Sequence, residues 1–327
     1  MGQIRERLRK YLFPADSADW LPILRIGLGV QVTCYALAWR EYWPLLFVAH
    51  GNVLLTRELM EAILSAETRY APRLGWLVAV GAHLGLNELT ILSLTWGCLV
   101  IAGVCLIVGV FCRPAVVVAW FLYVCSVTSG QLFSYGVDNF TTIGLFYLMI
   151  APLRDSYWWP WKLRPGGPVD PHRLGFHRRV LQLHLCLIYF FGGITKCLGS
   201  EWWNGISVWR ALTRPPFNFI SPELLIHFAP LLPLLGALVC VLETGYPIFI
   251  WPGRTRAIWL AGILAMHLAI GLAMGLYLFA LIMIVLNLAA FGAEFVPGMQ
   301  KLLVFRAEKR DTEPAAAGSK TATEEPA

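Results

Sequence analysis

Ile91-Leu-Ser-Leu-Thr-Trp-Gly-Cys-Leu-Val-Ile-Ala-Gly-Val-Cys-Leu-Ile-Val-Gly-Val-Phe111 is a run of 21 residues without a single charged side chain. About 20 apolar residues in a helix span the hydrocarbon core of a bilayer. The whole chain has the same character, since 57% of its residues are apolar, only 14% are charged and the mean hydropathy is +0.62. Soluble domains carry about 25% charged residues. The sequence therefore predicts an integral membrane protein.

Similar apolar runs recur along the chain and define candidate transmembrane helices. They lie near residues 20–39, 91–111, 115–134, 139–153, 179–196, 225–251, 256–273 and 275–292. We therefore expect an all-α bundle of about eight transmembrane helices. The run at 139–153 is short and the last two runs are closely joined, so a re-entrant or tilted segment is an alternative for these.

The domain organisation follows from the positions of these runs. Residues 1–19 are expected to form a cytoplasmic N-terminal segment, and residues 20–296 the transmembrane domain. Residues 297–327 have almost no apolar bulk, which predicts a cytoplasmic, largely disordered tail.

Lysine and arginine residues indicate the orientation, because cytoplasmic loops carry the excess of positive charge. The basic residues alternate regularly with the runs. They are Arg5, Arg7, Arg9, Lys10, Arg113, Lys162, Arg164, Arg173, Arg178, Arg179, Arg254, Arg256, Lys301, Arg306, Lys309 and Arg310. With eight spans all of them fall on one side of the membrane. We therefore expect both termini in the cytoplasm.

Several function classes are disfavoured. The net charge of +6 does not come from a basic stripe with interleaved aromatic residues, so no nucleic-acid partner is expected. The sequence contains no phosphate-binding glycine loop, HExxH or GxSxG motif. Its eight cysteines form no CxxC pair, and we expect no metal site. The expected partners are the lipid bilayer and a peptide or protein substrate.

Ionisable residues inside the spans are the main functional candidates. Each costs about 3 kcal/mol or more at the bilayer centre unless it is paired or hydrated. The candidates are Arg25, His184, Lys196, Glu243 and His267. A structural ion pair between Arg25 and Glu243 is one interpretation, because both fall in the cytoplasmic half of the bundle.

The fifth span carries a polar stripe. Gln182, Tyr189 and Lys196 are spaced by seven residues, which places them on one helix face that must contact protein or water. Gly192-Gly193 permits another helix or a ligand to approach closely. A lysine at this depth loses hydration, which favours a neutral amine able to accept a proton. The alternative is a Lys196 side chain that extends to the external interface.

Asp138 and His267 also have two interpretations each. Asp138 lies at the start of the fourth span, where it either caps the helix or serves a functional site. His267 lies within the seventh span and is either a packed hydrogen-bonding residue or a catalytic one.

The segment from Gln182 to Gly205 resembles the horizontally transferred transmembrane (HTTM) family, which includes the membrane core of vitamin K-dependent gamma-carboxylase. Its sequence is Gln-Leu-His-Leu-Cys-Leu-Ile-Tyr-Phe-Phe-Gly-Gly-Ile-Thr-Lys-Cys-Leu-Gly-Ser-Glu-Trp-Trp-Asn-Gly. Further features of the resemblance are Leu24-Arg25-Ile26-Gly27, Ser134-Tyr135-Gly136-Val137-Asp138, Glu243 and His267. Together they cover roughly residues 15–295.

The resemblance implies a specific chemistry. In the carboxylase, the lysine after a Tyr-Phe-x-x-Gly run is taken to deprotonate reduced vitamin K, and Lys196 occupies that position. Lys196 and His267 are therefore the expected catalytic residues, and a reduced quinone of the vitamin K or menaquinol type is the expected cofactor. The residues expected to bind it are Tyr189, Gln182, Tyr135, Asp138, Trp202 and Arg25.

Two features differ from the carboxylase pattern. The chain ends in a polar tail soon after its last span, where the carboxylase has a large luminal β-rich region. Leu132-Phe133 also replaces an asparagine-histidine pair. Glutamate carboxylation is therefore not the expected reaction, and a quinone pocket facing the outside remains.

Three functions remain open on the sequence. The first is a carboxylase-like or quinol-dependent enzyme of the inner (plasma) membrane of a bacterium, with Lys196 as general base at the external side. The second is a non-catalytic membrane module that aids maturation or export of a secreted peptide or partner protein. The third is a transporter, which no internal repeat supports.

Overall fold

The computed structural model describes residues 2–48, 56–67, 70–153 and 169–295, and the regular elements in these ranges are all helical. They are α1 Gly2–Leu12, α2 Trp20–Ala38, α3 Trp43–Phe47, α4 Arg57–Glu67, α5 Leu74–His83, α6 Glu88–Val108, α7 Cys112–Ser129, α8 Gly136–Ile150, α9 Pro171–Leu198, α10 Ser200–Trp203, α11 Ile206–Thr213, α12 Pro222–His227, α13 Leu232–Phe249, α14 Gly253–Met274 and α15 Tyr277–Asn287. The α15 helix continues as a π-helical segment over Leu288–Gly292. The predicted tail and the loop with Lys162 and Arg164 lie outside the described residues.

Seven helical segments of the described chain are long and apolar enough to cross a membrane. They are α2, α6, α7, α9, Ala229–Phe249, α14 and Tyr277–Phe295. This confirms the prediction of an all-α, multi-pass membrane protein. The predicted run at 225–251 starts four residues later, since the separate short helix α12 occupies Pro222–His227.

The α9 helix is longer than its predicted apolar run. It begins at Pro171, and the Asp170 side chain accepts a hydrogen bond from the His172 backbone N–H. Proline at the first helical position and an aspartate cap both favour a helix start there. Its 28 residues span roughly 42 Å at 1.5 Å per residue, so α9 extends beyond the hydrocarbon core.

The fourth predicted span, at 139–153, corresponds to α8, which has only 15 residues and is not one of the seven segments named above. Its first turn faces the later part of α7, where the Tyr123 hydroxyl donates to Asp138. Its last turn lies against the start of α7, where Arg113 donates to the Met149 and Ala151 carbonyls. The chain therefore returns along α8 to the level at which α7 began.

Arg178 joins three segments at one end of the bundle. Its guanidinium donates to both carboxylate oxygens of Asp16, at 3.1 Å, and its Nε donates to the Ala290 carbonyl at 3.0 Å. Asp16 precedes the first span and Ala290 lies near the end of the last one. Asp16 and Ala290 therefore lie at the end of the bundle where α9 begins. This is the arrangement expected if the chain between them crosses the membrane an even number of times.

The bundle is organised around α2 and α15. Leu24, Leu28, Val32 and Ala36 are spaced by four residues on α2 and are all completely buried. The α2 helix packs against α6, α8 and α15. The α15 helix also packs against α14, and its π-helical continuation contacts α9. It thereby connects the first half of the bundle to the α9, α13 and α14 helices that carry the candidate site.

The α9 and α13 helices approach each other very closely. A Cβ atom built on Gly193 would lie 2.5 Å from the backbone nitrogen of Thr244. One built on Gly236 would meet the carbonyl oxygen of Trp202, just beyond the end of α9. Small residues at a helix interface allow this approach in membranes. The prediction that Gly192-Gly193 permits close helix contact is confirmed at Gly193.

Adding a methyl group at this contact tests its importance. We expect Gly193→Ala to destabilise the protein by about 1–3 kcal/mol, because the new Cβ would overlap backbone atoms that cannot rotate away. Gly97→Ala on α6 is the matched control, since no atom lies within 4 Å of its added Cβ. Thermal unfolding in detergent measures both. Equal unfolding temperatures for the two variants would show that α9 and α13 are not this close.

The number of membrane crossings determines whether the two termini of the chain lie on the same side of the membrane. If α8 crosses, a green fluorescent protein fused to either terminus will fluoresce in bacterial cells, and alkaline phosphatase at the same positions will be inactive. A control phosphatase fusion after Phe133, between α7 and α8, should be active. Opposite results at the two termini would mean an odd number of crossings and an α8 helix that re-enters without crossing.

Candidate functional site

Lys196 and Glu243 form an ion pair across the α9–α13 contact. The Lys196 Nζ atom lies 2.5 Å from Oε2 of Glu243. The lysine side chain is 25% exposed and that of the glutamate 10%. The pair lies beside the close approach of the two helices, because a Cβ on Gly192 would be 3.2 Å from the same carboxylate oxygen. The two helices thus hold opposite charges together in the apolar part of the bundle.

The Lys196 side chain turns back along its own helix. Its ammonium group lies 3.5 Å from the Gly192 carbonyl oxygen, one turn earlier on α9. A lysine that extends to the interface would point the other way, past the helix end at Leu198. The Trp202 ring lies against the same ammonium group, with 5.5 Å from Nζ to the ring centroid. The Lys196 side chain therefore contacts Glu243, Trp202 and its own helix, and it does not take the alternative course to the external interface.

A hydrogen-bond network of neutral side chains lies on the same face of α9. The Tyr189 hydroxyl is 2.8 Å from Nε2 of His267 and accepts a hydrogen bond of 2.8 Å from the Asn287 amide. The Tyr246 hydroxyl donates to Oδ1 of Asn287 at 2.7 Å. Four helices, α9, α13, α14 and α15, contribute one residue each. All four residues are buried, and Asn287 and Tyr246 have no exposed surface.

The ion pair and this network are close neighbours. Lys196 and Tyr189 share the stripe on α9, and Glu243 and Tyr246 lie within one turn of α13. Tyr189 joins the two parts, because its hydroxyl group lies 2.8 Å from Nε2 of His267 and its ring packs on Tyr246 with 4.2 Å between centroids. The structure therefore brings the two predicted catalytic residues, Lys196 and His267, into one polar region, which we call the α9 site. It comprises Lys196, Glu243, Tyr189, His267, Asn287, Tyr246 and Trp202.

One buried atom of the α9 site has no hydrogen-bond partner among the residues that the structure describes. It is Nδ1 of His267, a side chain with 3% of its surface exposed. The ring packs edge-to-face on Phe279 with 5.7 Å between centroids. An unpaired buried polar atom usually costs about 1–3 kcal/mol, so this nitrogen requires an explanation.

Gln182 completes the predicted stripe but lies near the middle of α9, about four turns from Lys196. Its amide donates to the Ala290 carbonyl at 2.7 Å, beside the bond from Arg178 to the same oxygen. That carbonyl belongs to the π-helical segment, whose irregular bonding needs outside donors. The stripe faces protein along its length, as predicted, and the structure gives Gln182 a partner outside the α9 site.

Tyr135 and Asp138 belong to a second polar cluster, between α7 and α8. One Asp138 oxygen accepts from the Tyr135 backbone N–H at 3.0 Å, and the other accepts from the Tyr123 hydroxyl at 2.9 Å. The first of these bonds is a helix cap. Tyr135 itself is 43% exposed. The Phe279 ring lies between this cluster and the α9 site, packing on His267 and on Phe140.

Arg25 and His184 have partners elsewhere. The Arg25 guanidinium donates to the Leu106 and Ile107 carbonyls, where it binds the C-terminal end of α6. Glu243, its predicted partner, is paired with Lys196 instead. Nδ1 of His184 lies 2.7 Å from the Tyr147 hydroxyl of α8. Neither residue is hydrogen-bonded to a member of the α9 site in the described structure.

Asn287 and Tyr246 are the site residues that sequence reasoning missed. Asn287 is the single amide side chain in the apolar run from Tyr277 to Gly292, and such a residue in a membrane helix normally seeks a partner on another helix. Tyr246 directly follows Glu243-Thr244-Gly245, but a tyrosine in a span gives no comparable signal. The amide could have been found by this reasoning.

The remaining features of the described residues do not extend the α9 site. No group of three or more His, Cys, Asp or Glu side chains in the described ranges could hold a metal ion. A groove of about 620 Å³ lies at the start of α6, lined by Asn87, Glu88, Leu89, Thr90, Ser93 and Leu94. None of these residues belongs to the α9 site.

Comparison of the chain with known protein families, curated proteins and solved structures finds no match. Functional inference therefore depends on the chemistry of the α9 site and on the resemblance of its sequence.

Single and double replacements test the ion pair. We expect Lys196→Met or Glu243→Leu alone to destabilise the protein by about 3 kcal/mol, because each leaves an unpaired charge in an apolar environment. The double variant should recover most of this loss, since two apolar side chains need no pairing. Thermal unfolding of all four proteins in detergent gives the coupling energy. Additive effects of the two single replacements would contradict the pairing.

Proposed function

We propose that the protein is a membrane enzyme similar to the gamma-carboxylase core of the HTTM family, in which the Lys196–Glu243 pair takes a proton from a lipophilic hydroquinone. The observation that carries the proposal is the 2.5 Å contact between Nζ of Lys196 and Oε2 of Glu243 in a transmembrane part of the bundle. Ionisable residues inside a membrane-spanning bundle are rare, and they often mark proton or substrate pathways.

Glu243 is the proton acceptor of the pair. The paired state consists of a Lys196 ammonium group and a Glu243 carboxylate. The carboxylate is the member that can take up a further proton, which would leave a carboxylic acid on Glu243 and the ammonium group on Lys196. That ammonium group would stabilise the negative charge left on a hydroquinone oxygen.

The side chains around the pair suit an aromatic phenol. When bound, a reduced quinone supplies an acidic phenolic hydroxyl group. Trp202 offers an aromatic surface next to the ammonium group. His267 offers a buried ring nitrogen without a partner, as expected beside a ligand oxygen. The residues that hold and orient the ring are therefore Trp202 and His267, and Tyr189 orients His267 through its hydroxyl group.

Access from the lipid fits a lipophilic substrate. Lys196 keeps a quarter of its side chain exposed, and neighbouring residues on α9, Phe191 and Leu198, are 62% and 83% exposed. In a bilayer, exposed apolar side chains of a span face lipid. Phe191 and Leu198 lie on the opposite face of α9 from Lys196, so a quinol dissolved in the membrane would reach the pair through the exposed part of the Lys196 side chain. With the predicted orientation this happens at the external side, and we propose the inner membrane of a bacterium as the location.

Binding of menadiol, the reduced form of a short vitamin K analogue, tests the proposal. The protein is purified in detergent and titrated under argon, with quenching of tryptophan fluorescence as the measure. We expect the Lys196→Met/Glu243→Leu variant to bind at least about tenfold more weakly than the wild type, equivalent to about 1.4 kcal/mol. The double variant is chosen because it removes both charges and should remain folded.

Lys10→Met is the matched control, because Lys10 forms an exposed ion pair with Glu6 on α1. It should bind menadiol like the wild type. Equal affinity in the wild type and in the folded double variant would contradict the proposal. That result would favour a non-catalytic module for maturation or export of a partner protein.

A further inference from the structure

The Asn287 side chain has a fixed orientation in its hydrogen-bond network. Its Nδ2 atom lies 2.8 Å from the Met283 carbonyl oxygen, which can only accept a hydrogen bond. The amide nitrogen must therefore point there, and its second hydrogen goes to the Tyr189 hydroxyl oxygen. The amide oxygen faces Tyr246, whose hydroxyl group donates to it. Every donor and acceptor of the Asn287 amide is thus assigned without ambiguity.

This orientation sets the direction of the next bond. Because the Tyr189 oxygen already accepts from Asn287, its own hydrogen is free to be donated to Nε2 of His267, 2.8 Å away. In the opposite arrangement Nε2 of His267 would donate to Tyr189, and the buried Tyr189 hydroxyl hydrogen and Nδ1 of His267 would both lack partners among the described residues. The first arrangement leaves one group unpaired and the second leaves two, so the first is favoured.

The consequence concerns the protonation state of His267. A ring nitrogen that accepts a hydrogen bond carries no proton, so Nε2 is bare and the neutral ring carries its proton on Nδ1. That nitrogen is the buried atom without a partner among the described residues. His267 therefore presents an N–H donor to its surroundings, and its accepting nitrogen is already occupied.

We propose that the chain Tyr246–Asn287–Tyr189 holds His267 as a hydrogen-bond donor, and that its Nδ1–H binds an oxygen atom of a quinone-type ligand. The proposal rests on the proposed function for the class of ligand. It specifies the role of His267 there as a hydrogen-bond donor to a carbonyl or phenolate oxygen. Asn287 and Tyr246 act through Tyr189 and are positioning residues.

The chemistry of the site supports an oxygen atom as the acceptor, either a carbonyl or a phenolate oxygen. The donor is a neutral N–H group, and the aromatic ring of Phe279 packs against the imidazole. An oxygen with partial or full negative charge would be attracted to this N–H group, whereas a ligand cation would not.

Nitrogen-15 NMR of the whole protein, labelled at its histidines, measures the proton position directly. The signal of His267 is assigned by its loss in His267→Leu. We expect Nδ1 to be protonated and Nε2 to be bare in the wild type. Tyr189→Phe removes the donor to Nε2 and should give a mixture of the two tautomers. Asn287→Leu should give the same mixture with the tyrosine still present, a change that a purely structural role would not produce.

Menadione, the oxidised analogue, is the binding probe, because it has two carbonyl oxygens and no proton to give. We expect it to shift the Nδ1 proton signal of His267 downfield. His267→Leu should weaken menadione binding roughly tenfold, the effect of one lost hydrogen bond, and His267→Asn should restore it, since the Asn amide places an N–H near the former Nδ1.

The experiments distinguish a failure of the proposed function from a failure of the donor role of His267. Menadione should still shift the His267 signal in the Lys196→Met/Glu243→Leu variant, whatever that variant does with menadiol. A bare Nδ1 in the free wild type would overturn the hydrogen-bond chain. An Nδ1 proton signal that does not move at saturating menadione would overturn the ligand role of His267.

Discussion

The close approach of α9 and α13 at Gly193 is the constraint on which the α9 site depends. It brings Lys196 within 2.5 Å of Glu243 and places Trp202 beside the ammonium group. Each charge alone would be unfavourable in the apolar part of a bundle, and pairing removes most of that cost. A larger residue than glycine at position 193 would separate the helices and expose two isolated charges. A change that separates α9 from α13 would therefore also disrupt the α9 site.

The surrounding helices extend the same principle to neutral groups. Polar side chains within a bilayer must find partners inside the protein, and α15 provides one at Asn287. Its amide connects tyrosines on two other helices, and the bond to Met283 fixes the direction of the network. The network ends at the one nitrogen of His267 that has no partner in the described structure. The ion pair and the directed hydrogen-bond network therefore lie in the same part of the bundle.

Much of this arrangement could be predicted from the sequence, and the rest depends on helix pairing. The seven-residue spacing placed Tyr189 and Lys196 on one face, and Gly192-Gly193 indicated the close contact, because both follow from helix geometry alone. The ion-pair partner of Glu243 could not be derived, since a periodic pattern does not say which helices are neighbours. In the structure Glu243 pairs with Lys196, whereas Arg25 donates to carbonyl oxygens of α6. Asp138 had two equal interpretations, and its bond to the Tyr135 backbone agrees with helix capping. The run at 275–292 predicts an apolar span, and this prediction by itself assigns no role to Asn287.

The most direct test of proton transfer to the Lys196–Glu243 pair is the absorption spectrum of menadiol bound to the wild-type protein under argon at neutral pH. Free menadiol in the same detergent, recorded at neutral and at strongly alkaline pH, supplies the reference spectra of the neutral and anionic forms. Our account predicts that the bound molecule has the spectrum of the anion. A bound molecule with the spectrum of the neutral hydroquinone would contradict it.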